Sequence, residues 1–164
     1  MVRIILILLL LLPGQLRALA LDEDQPIEVE ADSLEVRESE NISIYQGNVS
    51  LVQGSLEINS DRLVIHFNDT DELELIEMTG TPARIRQLDD DQKEMRGQAS
   101  QIDYMERRSL LVLRGSARFS HAGDIIESEL IRVNTESNSI QAGSLESDER
   151  VKMLIQPRKD PPSQ

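Results

Sequence analysis

From residue 27 the chain keeps returning to an aliphatic side chain at every second position. In YQGNVSLVQGSLEINSDRLVIHF (residues 45–67), Val49, Leu51, Leu56, Ile58, Leu63 and Ile65 are interleaved with Ser50, Glu57, Asn59 and Arg62. Strand side chains point to opposite faces in turn, so a period of two predicts strands with one apolar and one polar face. No stretch beyond residue 20 shows a helical period.

The alternation also changes phase. It runs Ile27, Val29 and resumes at Leu34, Val36; it runs Leu56, Ile58 and resumes at Leu63, Ile65. A step of five would send the second set to the opposite face, so one residue must be absorbed between them. The intervening pairs are Ala31-Asp32, Ser60-Asp61, Ala99-Ser100 and Ser128-Glu129. A small side chain followed by a polar one suits a bulge or a sharp corner. Each unit is therefore expected to be a long strand that bends and keeps its aliphatic residues on one concave side.

These units repeat. ADSLEV (31–36), SDRLVI (60–65), ASQIDY (99–104) and SELIRV (128–133) align without gaps, and one shift of 68 residues carries Ala31 to Ala99, Gly47 to Gly115 and Ser60 to Ser128. A structural unit used in tandem explains the match. Turn-forming clusters at 38–41, 53–55, 68–71, 89–91, 106–109, 122–124 and 134–138 separate the strands. The fold class is accordingly all-β, a sandwich, roll or barrel. Bent strands that stack leave an unpaired edge at each end, open to strand addition.

The predicted concave face holds Ile27, Val29, Leu34, Val36, Val49, Leu51, Leu56, Ile58, Leu63, Ile65, Ile85, Ile102, Tyr104, Phe119, Ile131 and Val133. The other face, through Glu28, Glu30, Glu35, Glu57, Asn59, Arg62, His66, Asp103 and Arg132, is polar. A filled core accounts for such a face, and so does a lipid-binding groove. Composition adds to the second reading: with no Trp and only Phe67, Phe119, Tyr45 and Tyr104 as aromatics, the face suits acyl chains better than stacked sugars.

The first twenty residues differ from the rest. Arg3, the apolar run 4–12, Pro13-Gly14 and Ala18-Leu19-Ala20 compose a secretory signal peptide, too short to span a bilayer, which needs roughly 20 apolar residues. Cleavage before Leu21 is expected, giving a soluble one-domain chain over 21–156 and a proline-rich disordered tail over 157–164. Loss of Arg3 and Arg17 reduces the 17 basic residues to 15 against 30 acidic ones. So acidic a chain excludes nucleic acid as a partner, since phosphate contacts need clustered Lys and Arg. Without cysteine, an exported chain has only burial to hold it together.

Nothing points to an enzyme, a cofactor or a metal. His66 and His121 are placed at outward or turn positions, with no nucleophile signature beside them. Asp89-Asp90-Asp91 offers the oxygen ligands that Ca²⁺ takes but lacks the Gly-Asp spacing of a calcium repeat, and reads as a solvated loop.

DQPIEVEADSLEV, YQGNVSLVQGSLEINSDRLVI, GTPARIRQ, GQASQIDY and LVLRGSARF resemble the OstA-like family of periplasmic lipopolysaccharide-transport proteins, from about residue 24 to about residue 155. The resemblance implies an open β-jellyroll, V-shaped in section, whose interior takes the acyl chains of lipid A. It implies lumenal contacts at Ile27, Val29, Ile85 and Tyr104. With the phase of the strands, the expected lipid-binding set is Ile27, Val29, Val36, Val49, Leu51, Ile58, Leu63, Ile65, Ile85, Ile102, Tyr104 and Phe119. It also implies that the edge strand with Ile27, Glu28, Val29 and Glu30 receives an inner-membrane LptC-like jellyroll. The strand with Val151, Met153 and Ile155 would meet an outer-membrane LptD-like one, and copies would stack head to tail. Asp124 interrupts the apolar column of Ile27, Leu56 and Met95. The alternative expectation is a scaffolding β-module that joins envelope proteins by its strand edges and carries no lipid.

Overall fold

The structure, a computed structural model, describes residues 25–89, 91–143 and 149–157; the expected leader over 1–20 and residues 158–164 of the expected tail lie outside them. The strands are β1 (Glu28–Glu30), β2 (Ser33–Arg37), β3 (Ile42–Gln53), β4 (Leu56–Phe67), β5 (Leu73–Leu88), β6 (Glu94–Met105), β7 (Leu110–His121), β8 (Asp124–Asn134), β9 (Ser139–Ala142) and β10 (Lys152–Leu154). All belong to one antiparallel sheet in which β3 to β8 pair in chain order.

Every long strand breaks register at one level. The breaks fall between Gln46 and Val49, Asn59 and Arg62, Thr79 and Ala83, Gln98 and Gln101, and Arg114 and Ala117. They join into a crease that crosses the sheet and folds it into two facing walls. At each edge of the sheet this crease separates two short strands. On one side β1 and β2 both pair with β3, on the other β10 and β9 both pair with β8. The expected corner pairs Ser60-Asp61, Ala99-Ser100 and Ser128-Glu129 lie on it, and Ala31-Asp32 separates β1 from β2.

The alternate strands turn the corner by different chemistry. Gly47 and Asn48 have φ of 82° and 46°, and their repeat mates Gly115 and Ser116 have 80° and 49°. Two successive left-handed residues are cheap only where glycine leads. The repeat extends to the turns, since single 3-10 turns at Glu38–Glu40 and Glu106–Arg108 each end on a left-handed residue, Asn41 or Ser109.

The core lies between the walls. In the rows beside the crease, Ala83, Ala99 and Ala117 on one wall confront Leu63, Met78, Ile102, Leu113 and Ile131 on the other, all closed to solvent. Small residues opposite large ones let the walls meet there at interior packing density. The outer face departs from the expected polar surface: Ile44, Val64 and Val112 point outward and are buried. They share a register row with Glu77, Asp103 and Arg132, long polar side chains that can cover apolar neighbours.

Candidate functional site

Away from the crease the walls part. Between them lies a cavity of about 620 Å³, within the range of roughly 300–1,000 Å³ typical of ligand sites. It is lined by the second and third inner rows of each wall. Leu51, Ile58, Ile85, Gly97 and Phe119 face Ile65, Ile76, Tyr104 and Leu111, with Ile27, Leu56, Met95, Phe67 and Leu73 nearer the lips. No crease-row residue lines it. Gly97 enlarges the space, for a Cβ there would lie 2.9 Å from Ile85 Cγ2 and 3.0 Å from Leu113 Cδ2.

The twelve residues expected to touch lipid therefore fall into three groups. Ile27, Leu51, Ile58, Ile65, Ile85, Tyr104 and Phe119 line the cavity. Val49, Leu63 and Ile102 belong to the packed crease. Val29 and Val36 stand on the edge strands, Val29 packed against the core and Val36 largely exposed. Met95 lines the cavity in the apolar column expected with Ile27 and Leu56, and Phe67, Leu73, Ile76 and Leu111 also line it, although the sequence reading does not place them there. Their strand phase was the available signal.

Polar groups collect at the mouth, where Gln53, Ser55, Gln87, Asp89, Gln92, Glu106 and Thr135, with Leu88, complete the lining. Here one expectation is corrected. His121 is not an outward or turn residue: it ends β7 two positions beyond Phe119 on the inner face, opposite Met95. Its Nε2 lies 2.6 Å from Asp89 Oδ2, so it ties the β5–β6 turn to the lip across β6. The hydrogen bond from His121 and a second from the Lys93 N–H hold the Asp89 carboxyl below its ordinary range. Asp89 is thus a turn anchor as well as a loop residue. Leu88 N–H donates to Ser55 Oγ on the other flank. Asp124 sits at the same lip and accepts the Gln156 N–H at 2.9 Å, so it fastens the chain beyond β10. His66 stays on the outer face, 2.7 Å from Glu77 Oε2.

A second depression of about 700 Å³ opens on the outer face. Its wall mixes Arg107, Arg108, Glu74 and His66 with Leu75 and Met105, so it offers no dry surface. No cluster of three or more metal-ligating side chains occurs among the described residues.

The family described as LptA/(LptD N-terminal domain) LPS transport protein matches residues 28–139, from the start of β1 to the first residue of β9. The chain belongs to this family. Among relatives of this LptA/LptD N-terminal domain chain, the lipopolysaccharide export system protein LptH of Pseudomonas aeruginosa is 28% identical over 155 residues, 89% of each chain. The lipopolysaccharide export system protein LptA of Escherichia coli K12 is 31% identical over 137 residues, 83% of this chain and 74% of that one. The crystal structure of LptH, titled the LptA homologous periplasmic component of the lipopolysaccharide transport device, superposes with a TM-score of 0.74 at 26% identity. The match covers 83% of this LptA/LptD N-terminal domain chain and 99% of LptH, so the creased sheet is common to both.

Proposed function

We propose that the protein is a periplasmic carrier of lipopolysaccharide that bridges the inner and outer membranes and holds lipid A acyl chains in its trough. The observation that carries this reading is the cavity itself, apolar on both walls and hollow only in the rows beyond the packed crease, in a family of LPS transport proteins. Burying an acyl chain is worth about 0.8 kcal/mol per methylene. The saccharide and its phosphates stay at the mouth, where glutamines and carboxylates line the opening and, among the described residues, no Lys or Arg does. The protein performs no bond chemistry, and the sequence holds no phosphate-binding loop, so the energy for movement comes from a partner ATPase. The leader over 1–20 delivers it to the periplasm.

The sheet edges are the joints of the bridge. The N-terminal edge, β1 and β2, receives an inner-membrane LptC-like jellyroll, and the C-terminal edge, β9 and β10, meets an outer-membrane LptD-like one. Further copies stack head to tail between them. In support, the exposed large hydrophobic side chains among the described residues gather at or beside these edges: Ile27, Leu34, Val36 and Val52 at one, Ile140, Val151, Met153, Leu154 and Ile155 at the other.

A photo-crosslinking residue at Tyr104, inside the cavity, with outward Glu57 as control, tests the carrier. Lipopolysaccharide adducts from living cells at 104 and none at 57 are expected. Absence of adduct at both, in protein that still crosslinks to partner jellyrolls, would overturn the carrier in favour of the scaffolding module.

A further inference from the structure

The two open edges carry opposite charge, and the register of the sheet shows what that charge meets. Rows run unbroken from edge to edge. The inner row that begins at Val29 ends at Met153, and the outer row beside it begins at Glu30 and ends at Lys152. Across the crease, the inner row from Val36 ends at Ile140. Glu28 and Glu30 are exposed on β1, Arg150 and Lys152 are exposed at β10 with one exposed carboxylate, Glu149, before them, and none of Glu28, Glu30, Arg150 and Lys152 makes an ion pair among the described residues. In a chain of net charge −13, a basic edge facing away from an acidic one is a polarity.

Successive strands alternate in direction along the path from β1 to β10, so β1 and β10 run oppositely. A second copy placed in the same orientation therefore brings its β1 antiparallel to the first copy's β10. A one-residue slip would turn the apolar set outward, and a two-residue slip would put the creases out of line. The register that avoids both sets Val29 of the second copy against Met153, Val36 against Ile140 and Glu30 against Lys152, with Asp32 toward Arg150.

We infer that these edge charges set the polarity and register of stacking, so that the acidic N-terminal edge accepts the basic C-terminal edge of another copy and rejects its own kind. This rests on the stacking reading proposed above. Opposite charges facing across strands stabilise the pair and like charges destabilise it, and salt screens both effects. Head-to-head and tail-to-tail joints each oppose like charges, whereas head-to-tail joints do not.

The test uses the full mature chain in two charge-reversed forms, E28K/E30K and K152E, followed by sedimentation velocity at low and high salt. Alone, each variant is expected to associate at least about tenfold more weakly than the parent at low salt. Mixed in equal amounts they regain association, because positions 30 and 152 again carry opposite charges at every joint between unlike copies while Asp32 keeps facing Arg150. Recovery on mixing also shows that both variants are folded. Variants that stack like the parent, or a mixture no better than its components, would overturn the charge code and leave stacking itself standing. A parent that stays monomeric at every concentration would remove the stacking reading and the code with it. Register is read separately in this cysteine-free chain. Val29→Cys with Met153→Cys should form an intermolecular disulfide, which needs Cα atoms within roughly 7 Å, and Val29→Cys with Val151→Cys should not. The reverse pattern would overturn the register.

Discussion

Asp32 leans directly on Gly47. Its N–H donates to the Gly47 carbonyl at 2.9 Å, and a Cβ at Gly47 would lie 2.2 Å from the Asp32 carboxylate. The crease is thus locked where β1 passes into β2, and the repeat mate Gly115 stands in the same way against Ser100, at 2.9 Å. Gly47→Ala is expected to destabilise the fold by about 1–3 kcal/mol through its left-handed backbone and through displacement of Asp32. Gly115→Ala carries the backbone cost with a milder clash. Urea unfolding of the two variants checks the order.

Charge introduced at the crease and at the lip should behave differently. Ile102 is fully closed in the crease, and Ile102→Glu is expected to cost more than about 4 kcal/mol, enough to unfold a marginal domain. Leu56 lines the cavity and is only half-buried, so Leu56→Glu is expected to cost no more than about 2 kcal/mol while abolishing lipopolysaccharide capture. Circular dichroism with a lipopolysaccharide-binding assay separates the two outcomes.

Acid should loosen the lip. The Asp89 carboxyl is held below its ordinary value of 3.8, first by His121 and then by the Lys93 N–H. A carboxyl depressed in the folded state contributes stability that is in place above the ordinary value and is lost as pH falls through the lower folded one. Asp89→Asn should therefore be less stable than the parent near neutrality and lose less on acidification. Glu35, Glu72 and Glu94 are depressed in the same direction, so the variant keeps part of the parent's acid sensitivity. Urea midpoints measured from neutral pH down to about pH 3 test this.

Asp124 fastens the C-terminal edge through the Gln156 N–H. Asp124→Ala should cost about 0.5–1.5 kcal/mol locally and speed amide exchange over residues 152–156. Exchange in β4 to β7 should stay at the parental rate, as hydrogen–deuterium exchange will show.

Much of the fold was legible in local chemistry. The step from Ile58 to Leu63, with Ser60-Asp61 between, marked the corner of β4, and the shift of 68 residues located the same corner in β8. The turns at 53–55 and 106–109 followed from their residues. The inward position of His121 is not legible locally, because a histidine beside Ala-Gly-Asp reads as part of a turn, and the carboxylate it meets, Asp89, comes from the neighbouring β5–β6 turn. The burial of Ile44, Val64 and Val112 is not legible in the sequence, because strict alternation assigns the apolar positions to one face only.

By itself, the sequence determined that the strands bend, where they bend, and which side chains share the concave face, since these follow from the two-residue period and its local breaks. The tertiary structure alone decided that Val49, Leu63 and Ile102 fill a closed crease while Ile85, Tyr104 and Leu56 border an open trough. All six have the same strand phase. What separates them is the distance to the opposite wall, which grows from crease to lip and belongs to the pairing of remote strands.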